Sequence, residues 1–326
     1  MKKILSFLLA LSLLLALPLL AACNKDDTEI DARVWTLNGT TGFGMAQLIN
    51  NSKANNADLR YEFTVETVAT NVRDALLSEA ADIAAVPTNM ASALYNASNG
   101  AIQIIALNTK GVLYLVVNTA RAAAPTSLED LAGKTIYVPA QNPAFIAKAL
   151  FGKAGVNVTL DDSIADPTEL RNKVAAGEEG FDYAILPEPM VTIAKANAAE
   201  GVTLTAALDL TAEWDRHFTP GSLVQGCVVA RKAFIEAHPE VITTFLNEYK
   251  ESVNFVINNP KEASVMIKDA GIFAQAPVAE RAIPNCNIAY IDGNAMKTAM
   301  EAFLAAMPLA SIGGKLPDAG FYYGVS

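Results

Sequence analysis

The sequence contains few of the residues on which several classes of protein depend. It has two histidines, His217 and His238, and twenty-one positions separate them. Because this spacing fits no metal-ligand motif, a histidine-based zinc enzyme is not expected. Basic residues are also scarce, since 24 Lys and Arg stand against 34 Asp and Glu and give a net charge of -10. A chain without a basic excess lacks the electrostatic footprint for phosphate backbones, so nucleic acid is not an expected partner.

Motifs of nucleotide-dependent and nucleophilic enzymes are missing as well. The run Gly42-Phe43-Gly44 is not a dinucleotide fingerprint, because it lacks the third glycine and an acidic residue closing the second strand. No Ser/His/Asp or Cys/His arrangement is visible along the chain. We therefore expect no catalytic residue, no metal and no cofactor.

Apolar residues, by contrast, are plentiful. They make up 52% of the 326 residues, which excludes disorder as the main state. The length exceeds that of one typical domain and suits two lobes, each with a sizeable core.

The first twenty-two residues have the features of an export signal. Lys2 and Lys3 precede a largely apolar stretch that ends in Leu20-Ala21-Ala22-Cys23. This tetrapeptide resembles the lipobox of bacterial lipoproteins, which implies a signal peptide over residues 1–22 and an acylated, palmitate-bearing Cys23. Residues 23–32 would then form a polar tether to the membrane. The alternative is a plain secretory signal with an incidental cysteine.

Two further cysteines follow in the mature chain. Cys227 lies in an apolar run typical of a buried strand, whereas Cys286 lies in a loop-like run beside Pro284. An exported protein can oxidise such a pair to a disulfide, but the sequence does not pair them. We expect two independent free thiols.

Short apolar runs alternate with helical segments of ten to fifteen residues, a pattern typical of parallel sheets with helical crossovers. Asp166 before Pro167 marks one helix start, and Pro239–Asn258 is predicted as a long helix that packs one face on a lobe. The predicted strands are Val34–Leu37, Tyr61–Glu66, Asp82–Val86, Ile102–Leu107, Val112–Asn118, Thr135–Val138, Tyr183–Leu186 and Leu223–Arg231.

Small and polar residues recur where these strands end. Glycines there let a backbone approach a ligand, hydroxyl and amide groups offer hydrogen bonds, and helix starts offer free N–H groups. Singly, each loop is more typical of caps and turns than of a binding site, but together the loops could line one ligand cleft. The loops are Asn38-Gly39-Thr40-Thr41-Gly42-Phe43-Gly44, Pro87-Thr88-Asn89, Asn108-Thr109-Lys110-Gly111, Pro139-Ala140-Gln141-Asn142-Pro143 and Pro187-Glu188-Pro189.

A family resemblance rests on the order of several of these runs. They are Thr41-Gly42-Phe43-Gly44-Met45, Ala85-Val86-Pro87-Thr88-Asn89, Asn108-Thr109-Lys110-Gly111-Val112-Leu113-Tyr114-Leu115, Leu128-Glu129-Asp130-Leu131-Ala132-Gly133-Lys134, Leu186-Pro187-Glu188-Pro189 and Gly226-Cys227-Val228-Val229. Together with the lipobox they resemble the substrate-binding lipoproteins of nitrate/sulfonate/taurine-class ABC importers, and the resemblance covers nearly the whole mature chain.

The resemblance implies the type II periplasmic-binding fold, in which two α/β lobes are joined by two crossover strands and enclose a ligand cleft. The crossovers would be Val112–Asn118 and Leu223–Arg231. Lobe 1 would comprise residues 33–117 and 225–326, and lobe 2 residues 118–224. The implied role is to capture a small solute and deliver it to a membrane permease driven by an ATPase subunit. We expect a monomer that is lipid-anchored to the cell membrane and faces outward, into the periplasm or at the cell surface.

Two kinds of ligand remain open. Glu188 between two prolines could pair with an amine or ring N–H, or it could simply cap a helix. Lys110 is the single cation in the cleft loops, and it could instead help N–H groups to hold a sulfonate-like anion. Aromatic residues near the loops, namely Phe43, Tyr137, Phe145 and Trp214, could sandwich a planar ring or lie in the core. The predicted ligand-binding residues are Thr41, Gly42, Phe43, Thr88, Asn89, Thr109, Gln141, Asn142, Glu188 and Trp214.

Two other functions share this fold and stay open at this stage. One is an enzyme of the thiamine-pyrimidine or menaquinone pathway type, against which the export signal argues. The other is a surface sensor or adhesin, which the sequence does not distinguish from a transport receptor.

Overall fold

The structure, a computed structural model, describes residues 30–325. The signal peptide, the lipobox with Cys23 and most of the tether lie outside the described residues. Within them, no helix combines the length and the hydrophobicity that crossing a bilayer requires.

The described chain alternates strands with helices, as the sequence predicts. The strands are β1 Ala32–Leu37, β2 Tyr61–Glu66, β3 Ile83–Pro87, β4 Ile102–Lys110, β5 Leu113–Asn118, β6 Thr135–Tyr137, β7 Thr159–Asp161, β8 Tyr183–Pro187, β9 Leu204–Asp209, β10 Val224–Arg231 and β11 Ile288–Ile291. The α-helices are α1 Thr40–Phe43, α2 Ala46–Lys53, α3 Ala69–Leu77, α4 Thr88–Ala97, α5 Asn142–Ala154, α6 Pro167–Ala176, α7 Met190–Ala196, α8 Leu210–His217, α9 Lys232–Ala237, α10 Pro239–Asn258, α11 Pro260–Asp269, α12 Ala276–Ala282 and α13 Gly293–Ala306.

The strands form two sheets. The first has the order β11-β4-β10-β3-β1-β2, and the second has the order β7-β6-β8-β5-β9. In the first sheet β1 is parallel to β2 and β3, while β10 is antiparallel to both β3 and β4. In the second sheet β6 is parallel to β7 and β8, while β5 is antiparallel to β8 and β9. This arrangement confirms the predicted α/β fold with two lobes.

The chain passes between the sheets twice. It leaves the first sheet after Lys110 and enters the second at Leu113, and it returns between Asp209 and Val224 through α8. The two predicted crossover strands differ from this path, because β5 pairs wholly within the second sheet and β10 wholly within the first. The predicted lobe boundaries stay a prediction, and the pairing of β5 favours moving the first of them to Gly111–Val112.

Helices cover both faces of each sheet and bury the cores. On one face of the first sheet, α10 packs Phe245, Tyr249, Val253 and Val256 against residues of β1 and α2, as its predicted apolar face requires. On one face of the second sheet, α6 and α7 bury Leu170 and Val191, among others. A third apolar cluster joins the remaining faces of both sheets, so the two lobes share part of their core.

Local sequence signals account for most elements. All eight predicted strands are present, and Asp166 caps α6 by accepting a 2.7 Å hydrogen bond from the Thr168 N–H. The prediction missed β7, β9 and β11. Of these, β7 has three residues and β11 four, which is too short for an alternating pattern to stand out.

The two described cysteines are buried free thiols, as predicted. Cys227 lies in β10, and Cys286 follows a 3₁₀ turn at Ile283–Asn285. Burial raises the pKa of both thiols well above the ordinary value. Neither group is therefore an activated nucleophile.

Candidate functional site

The strand register brings the predicted loops to the two sheet edges that face each other across the crossings. In the first sheet Gly226 pairs with Pro87 at the end of β3, and Val224 pairs with Lys110 at the end of β4. In the second sheet Leu113 pairs with Pro187 at the end of β8. The carboxyl ends of β1, β3 and β4 therefore lie at the edge of the first sheet where the chain leaves it. The carboxyl ends of β6, β8 and β9 lie at the edge of the second sheet where the chain enters it.

The loop after β1 is held close to the first sheet. Gly39 has a φ of 78°, which favours glycine, and a Cβ added at Gly42 would lie 2.4 Å from the Leu37 carbonyl oxygen. The Asn108 amide donates a 3.1 Å hydrogen bond to the Thr41 carbonyl and so ties this loop to β4. These contacts fix the backbone of Thr41 and Gly42 at the cleft edge.

The hydroxyl groups of the next two loops already have protein partners. Thr88 donates to the Val224 carbonyl at 2.8 Å, and Thr109 donates to the Asn108 side-chain oxygen at 3.0 Å. Both threonines are buried, and their hydroxyls brace β3 and β4 against their neighbours. They can still accept a hydrogen bond from a ligand through a free lone pair.

Three amide oxygens of the described structure are buried without a hydrogen-bond partner. Two of them, one from each lobe, lie at helix starts on the cleft edges, and the third, Asn96 Oδ1, lies near the end of α4. Asn89 lies in the first turn of α4, and Asn142 is the first residue of α5. The Oδ1 atoms of both are inaccessible to solvent and have no partner in the described structure. An unpartnered buried acceptor is costly, so these two atoms are the most specific sign of a ligand that supplies donors.

The backbone at Gln141 is strained in a way that shapes the start of α5. Gln141 has a φ of 65° and a ψ of -126°, a region that only glycine adopts freely. The residue is exposed, and it directly precedes Asn142. Because strain of this kind persists only where the surroundings impose it, Gln141 belongs to the fixed geometry of the cleft edge.

Glu188 caps a helix. Its carboxylate accepts hydrogen bonds from the Thr192 N–H at 3.1 Å and the Thr192 hydroxyl at 3.0 Å, in the first turn of α7. The side chain is buried, and burial raises its pKa although the Thr192 hydrogen bonds oppose that shift. Of the two roles open from sequence, the cap is the one with contacts in the structure.

Two predicted ligand contacts need correction. Phe43 and Trp214 are completely buried. The Trp214 ring stacks on Phe218 with ring centroids 4.0 Å apart, and its N–H donates to the Ser222 hydroxyl at 2.9 Å. Phe43 packs edge-on against Phe273. Since neither ring has a free face, neither can sandwich a ligand in this structure.

A cavity of about 590 Å³ lies between the lobes beside the first crossing. Glu188 is the one predicted site residue in its lining, so the structure does not place the ten residues around a single cavity. Sequence reasoning missed its other polar lining residues, which are Tyr114, Thr192, Lys195, Asp209, Arg281 and Asn285. Helical spacing from Glu188 through Thr192 could have pointed to Lys195, whereas no local signal joins Arg281 to the other lobe.

A polar contact closes this cavity across the lobes. The Tyr114 hydroxyl on β5 donates a 2.8 Å hydrogen bond to the Asn285 carbonyl, which follows α12. Within residues 30–325, no group of three or more His, Cys, Asp or Glu side chains could hold a metal ion. The described site is thus a set of hydrogen-bonding groups between two lobes, suited to binding a small molecule.

Comparison with known proteins agrees with this geometry. A search of curated proteins found no match. Among solved structures, the chain is similar to an ABC transporter protein from Parabacteroides distasonis, with 25% identity and a TM-score of 0.75 over 91% of this chain and 99% of that one. It also has the fold of the periplasmic aliphatic sulphonate binding protein SsuA from Escherichia coli, with 12% identity and a TM-score of 0.64 over 84% and 90% of the two chains. SsuA from Xanthomonas axonopodis pv. citri, bound to MOPS, matches with 13% identity and a TM-score of 0.61 over 90% and 97%.

These likenesses confirm the predicted type II periplasmic-binding fold. A family model described as NMT1/THI5-like matches residues 55–263, which is more than half of the chain and includes loops of both lobes. The chain therefore belongs to the NMT1/THI5-like family.

Proposed function

We propose that this protein is an extracytoplasmic solute-binding protein that captures a small molecule between its lobes and delivers it to an ABC import permease. The observation that carries the proposal is the pair of unpartnered buried oxygens of Asn89 and Asn142, one on each lobe. A ligand that bonds to both would be enclosed when the lobes close around it. The likeness to the Parabacteroides ABC transporter protein supports the same role.

The proposed ligand-binding residues are those of the sequence prediction without the two core rings. Thr41, Gly42, Thr88, Asn89 and Thr109 would act from the first lobe. Gln141 and Asn142 would act from the second. Glu188 would act indirectly, because its cap on α7 orients the loop in which Glu188 lies. No cofactor or metal takes part in this proposal.

A sulfonate-like anion that also carries donor groups is the ligand class that the described contacts favour, because the Asn89 and Asn142 oxygens need donors that a bare anion lacks. The Glu188 carboxylate already accepts two hydrogen bonds from Thr192, so it is less free to pair with an amine. The N-termini of α4 and α5 would supply N–H groups and positive potential, and Lys110 would add a charge. An amine-bearing planar heterocycle is the alternative, and it would need the Asn89 and Asn142 oxygens as acceptors.

Two probes separate these ligand classes in calorimetric titration of the mature protein. MOPS, the compound in the Xanthomonas relative, represents the sulfonates, and 4-aminopyrimidine represents the heterocyclic amines. We expect MOPS to bind, and Glu188→Gln to leave its affinity within about twofold. A loss of at least about tenfold for 4-aminopyrimidine in Glu188→Gln would instead assign the amine class, because that loss equals about 1.4 kcal/mol.

Native mass spectrometry of protein purified from its own host tests the binding role itself. We expect a retained small molecule that is released unchanged on unfolding. Absence of any retained molecule, together with no binding of either probe, would contradict the proposal. Conversion of a retained molecule into a new product would favour the enzyme alternative.

We also propose that the mature protein is a monomer anchored at Cys23 by acyl chains and facing away from the cytoplasm. The support is the run Leu20-Ala21-Ala22-Cys23 after an apolar signal. In a Cys23→Ala variant, detergent-free carbonate washing should release the protein from membranes. Retention as firm as that of the parent protein would exclude a lipid anchor at this position.

A further inference from the structure

The cavity beside the first crossing has a distribution of charge that the proposed function does not use. Glu188, Asp209 and Lys195 line it from the second lobe, and Arg281 lines it from the first. Counted formally, the two carboxylates balance the two cations. The hydrogen bonds that these side chains form, however, differ between the two carboxylates and the two cations.

Both carboxylates are occupied by helix starts. Glu188 accepts from the N–H and hydroxyl of Thr192 in the first turn of α7. Asp209 is the N-cap of α8 and accepts from the Thr211 N–H at 2.8 Å. A carboxylate at a helix N-terminus is compensated by the unpaired N–H groups and the helix dipole, so these two charges are partly neutralised by the protein.

Both cations keep donors without a hydrogen-bond partner in the described structure, although each lies in the last turn of its helix, where the dipole favours a cation, and Lys195 attracts the Glu188 carboxylate. Lys195 and Arg281 form no ion pair within residues 30–325, and Arg281 uses only its Nε, which donates to the Pro277 carbonyl at 3.1 Å in its own helix. The Nζ of Lys195 and the two Nη groups of Arg281 therefore have donors to offer. Because one residue lies on α7 and the other on α12, the two cations approach the cavity from opposite lobes.

The rest of the lining is largely apolar. Val191 and Ala206 contribute aliphatic surface, and the half-buried Tyr114 adds its ring, whose hydroxyl contacts the Asn285 carbonyl. The pKa of the Tyr114 hydroxyl is raised by burial and then by Asp209 and Glu188. This end of the cavity disfavours further negative charge, and it suits the uncharged part of a ligand.

We propose that this cavity is a second binding site, separate from the loops assigned to the solute, and that it takes a small organic oxyanion with a short apolar body. Lys195 and Arg281 would hold the acid group by charge-assisted hydrogen bonds, which are stronger than neutral ones. The apolar body would rest on Tyr114 and Val191. The cavity of about 590 Å³ accommodates a molecule of this size.

Three probes that share one ring test the charge requirement. Benzoate, benzamide and benzylamine are titrated separately into the mature protein by calorimetry at fixed ionic strength. Benzoate is expected to bind, and its Kd should rise at least about tenfold in both Lys195→Gln and Arg281→Gln. Lys268→Gln, an exposed substitution on α11 that removes the same charge, is the matched control and should leave the Kd within about twofold.

Each other outcome overturns the proposal. Equal affinity for benzamide would show that the ring alone binds, and tighter binding of benzylamine would show that Glu188 and Asp209 dominate. Loss of affinity in the Lys268→Gln control would indicate general attraction to charge. Absence of benzoate binding contradicts this second site alone, since MOPS and 4-aminopyrimidine test the proposed function independently.

A crystal structure of the benzoate complex separates the two sites directly. Benzoate between Lys195 and Arg281 supports the proposal. Benzoate at the start of α5, beside Asn142, would assign its binding to the solute cleft and contradict a second site.

Discussion

The polar side chains at the two ends of the first sheet differ in whether they have hydrogen-bond partners. At the end far from the crossings, Asp82 accepts hydrogen bonds from the Arg33 N–H at 3.0 Å and from the guanidinium groups of Arg33 and Arg231 at 2.7 to 2.9 Å. At the end that faces the second lobe, Asn89 keeps an oxygen without a partner, and Asn142 does so across the cleft. One end holds its buried carboxylate in ion pairs, although the Arg231 Nε there has no partner in the described structure, and the other end has acceptors without donors.

The difference separates groups that hold the fold from groups that await a ligand. A buried carboxylate with three charged or polar donors stabilises the native state when all its partners are present. A buried amide oxygen without a donor gives nothing to the empty protein and gains a hydrogen bond only on binding. Substitutions at the first end should therefore act on stability, and substitutions at the second end on affinity.

The largest effect is expected from Asp82→Asn. The change leaves Arg231 without a full counter-charge in a half-buried position and should lower the free energy of unfolding by about 3 kcal/mol, as for other broken buried pairs. Urea unfolding measures it. Asp162→Asn, which breaks an exposed 2.9 Å pair with Lys148, is the control and should cost less than about 1 kcal/mol.

The pH dependence of Asp82 follows from its partners. Burial raises its pKa, but the hydrogen bonds from Arg33 and Arg231 outweigh burial and leave the pKa below the ordinary value of 3.8. Its contribution is complete above that value and is lost as pH falls through the lower folded pKa. The stability gap between wild type and Asp82→Asn should thus close only in strong acid. A gap that stays constant through that acid range would contradict the ion-pair account.

A second, smaller loss of stability is expected at the cleft edge itself. A Cβ at Gly226 would lie 2.3 Å from the Asn108 side-chain oxygen and 2.9 Å from the Thr109 hydroxyl. Gly226→Ala should therefore lower the free energy of unfolding by about 2 kcal/mol through overpacking. Gly152→Ala in α5, where a Cβ meets nothing within 4 Å, should be neutral or stabilising. Equal thermal unfolding of the two variants would refute this reason for glycine at position 226.

Sequence reasoning predicted most of what lies within one local segment. The eight predicted strands, α10 and the polar loops follow from periodicity and from caps and turns that involve residues a few positions apart. The alternative that Glu188 caps a helix is local as well, since its partner Thr192 lies only four positions away. The same short reach lets a sequence propose polar loops at strand ends, while their part in binding a ligand stays a prediction.

What the sequence could not predict depends on residues far apart in the chain. Trp214 is buried against Phe303 as well as Phe218, and no local pattern reveals a partner that distant. Arg281 lines the same cavity as Glu188 and Lys195 only because the two lobes approach each other. Unpartnered oxygens are equally invisible in a sequence, since their absence of partners is a property of the whole packing.

Asn142→Ala is the direct test of the ligand-facing end. Its Oδ1 has no partner to lose, so the melting temperature of the empty protein should change little. Affinity for whichever of MOPS and 4-aminopyrimidine binds should fall about tenfold, or about 1.4 kcal/mol. Asn96→Ala is the control, because the Asn96 amide donates to the Ile312 and Lys315 carbonyls away from the cleft. That variant should lose stability and keep its affinity, and the reverse pattern would contradict the comparison.

The smallest effect is expected at Glu188, which lies at the cleft edge yet has the contacts of a structural group. Glu188→Ala removes the cap on α7 and should lower the free energy of unfolding by about 1 kcal/mol. Glu188→Gln should cost less at neutral pH, because the amide keeps one oxygen acceptor and buries no charge.

Burial raises the pKa of Glu188 above its ordinary value of 4.5, so protonation favours the folded state. The wild type should therefore gain stability relative to Glu188→Gln as pH falls through that raised pKa, and this relative gain should be lost again as pH rises. Paired thermal scans from pH 7 to about pH 4 measure the difference. A wild type that instead weakens relative to Glu188→Gln on acidification would mean that the Thr192 hydrogen bonds and the nearby Lys195, which favour the ionised carboxylate, outweigh its burial.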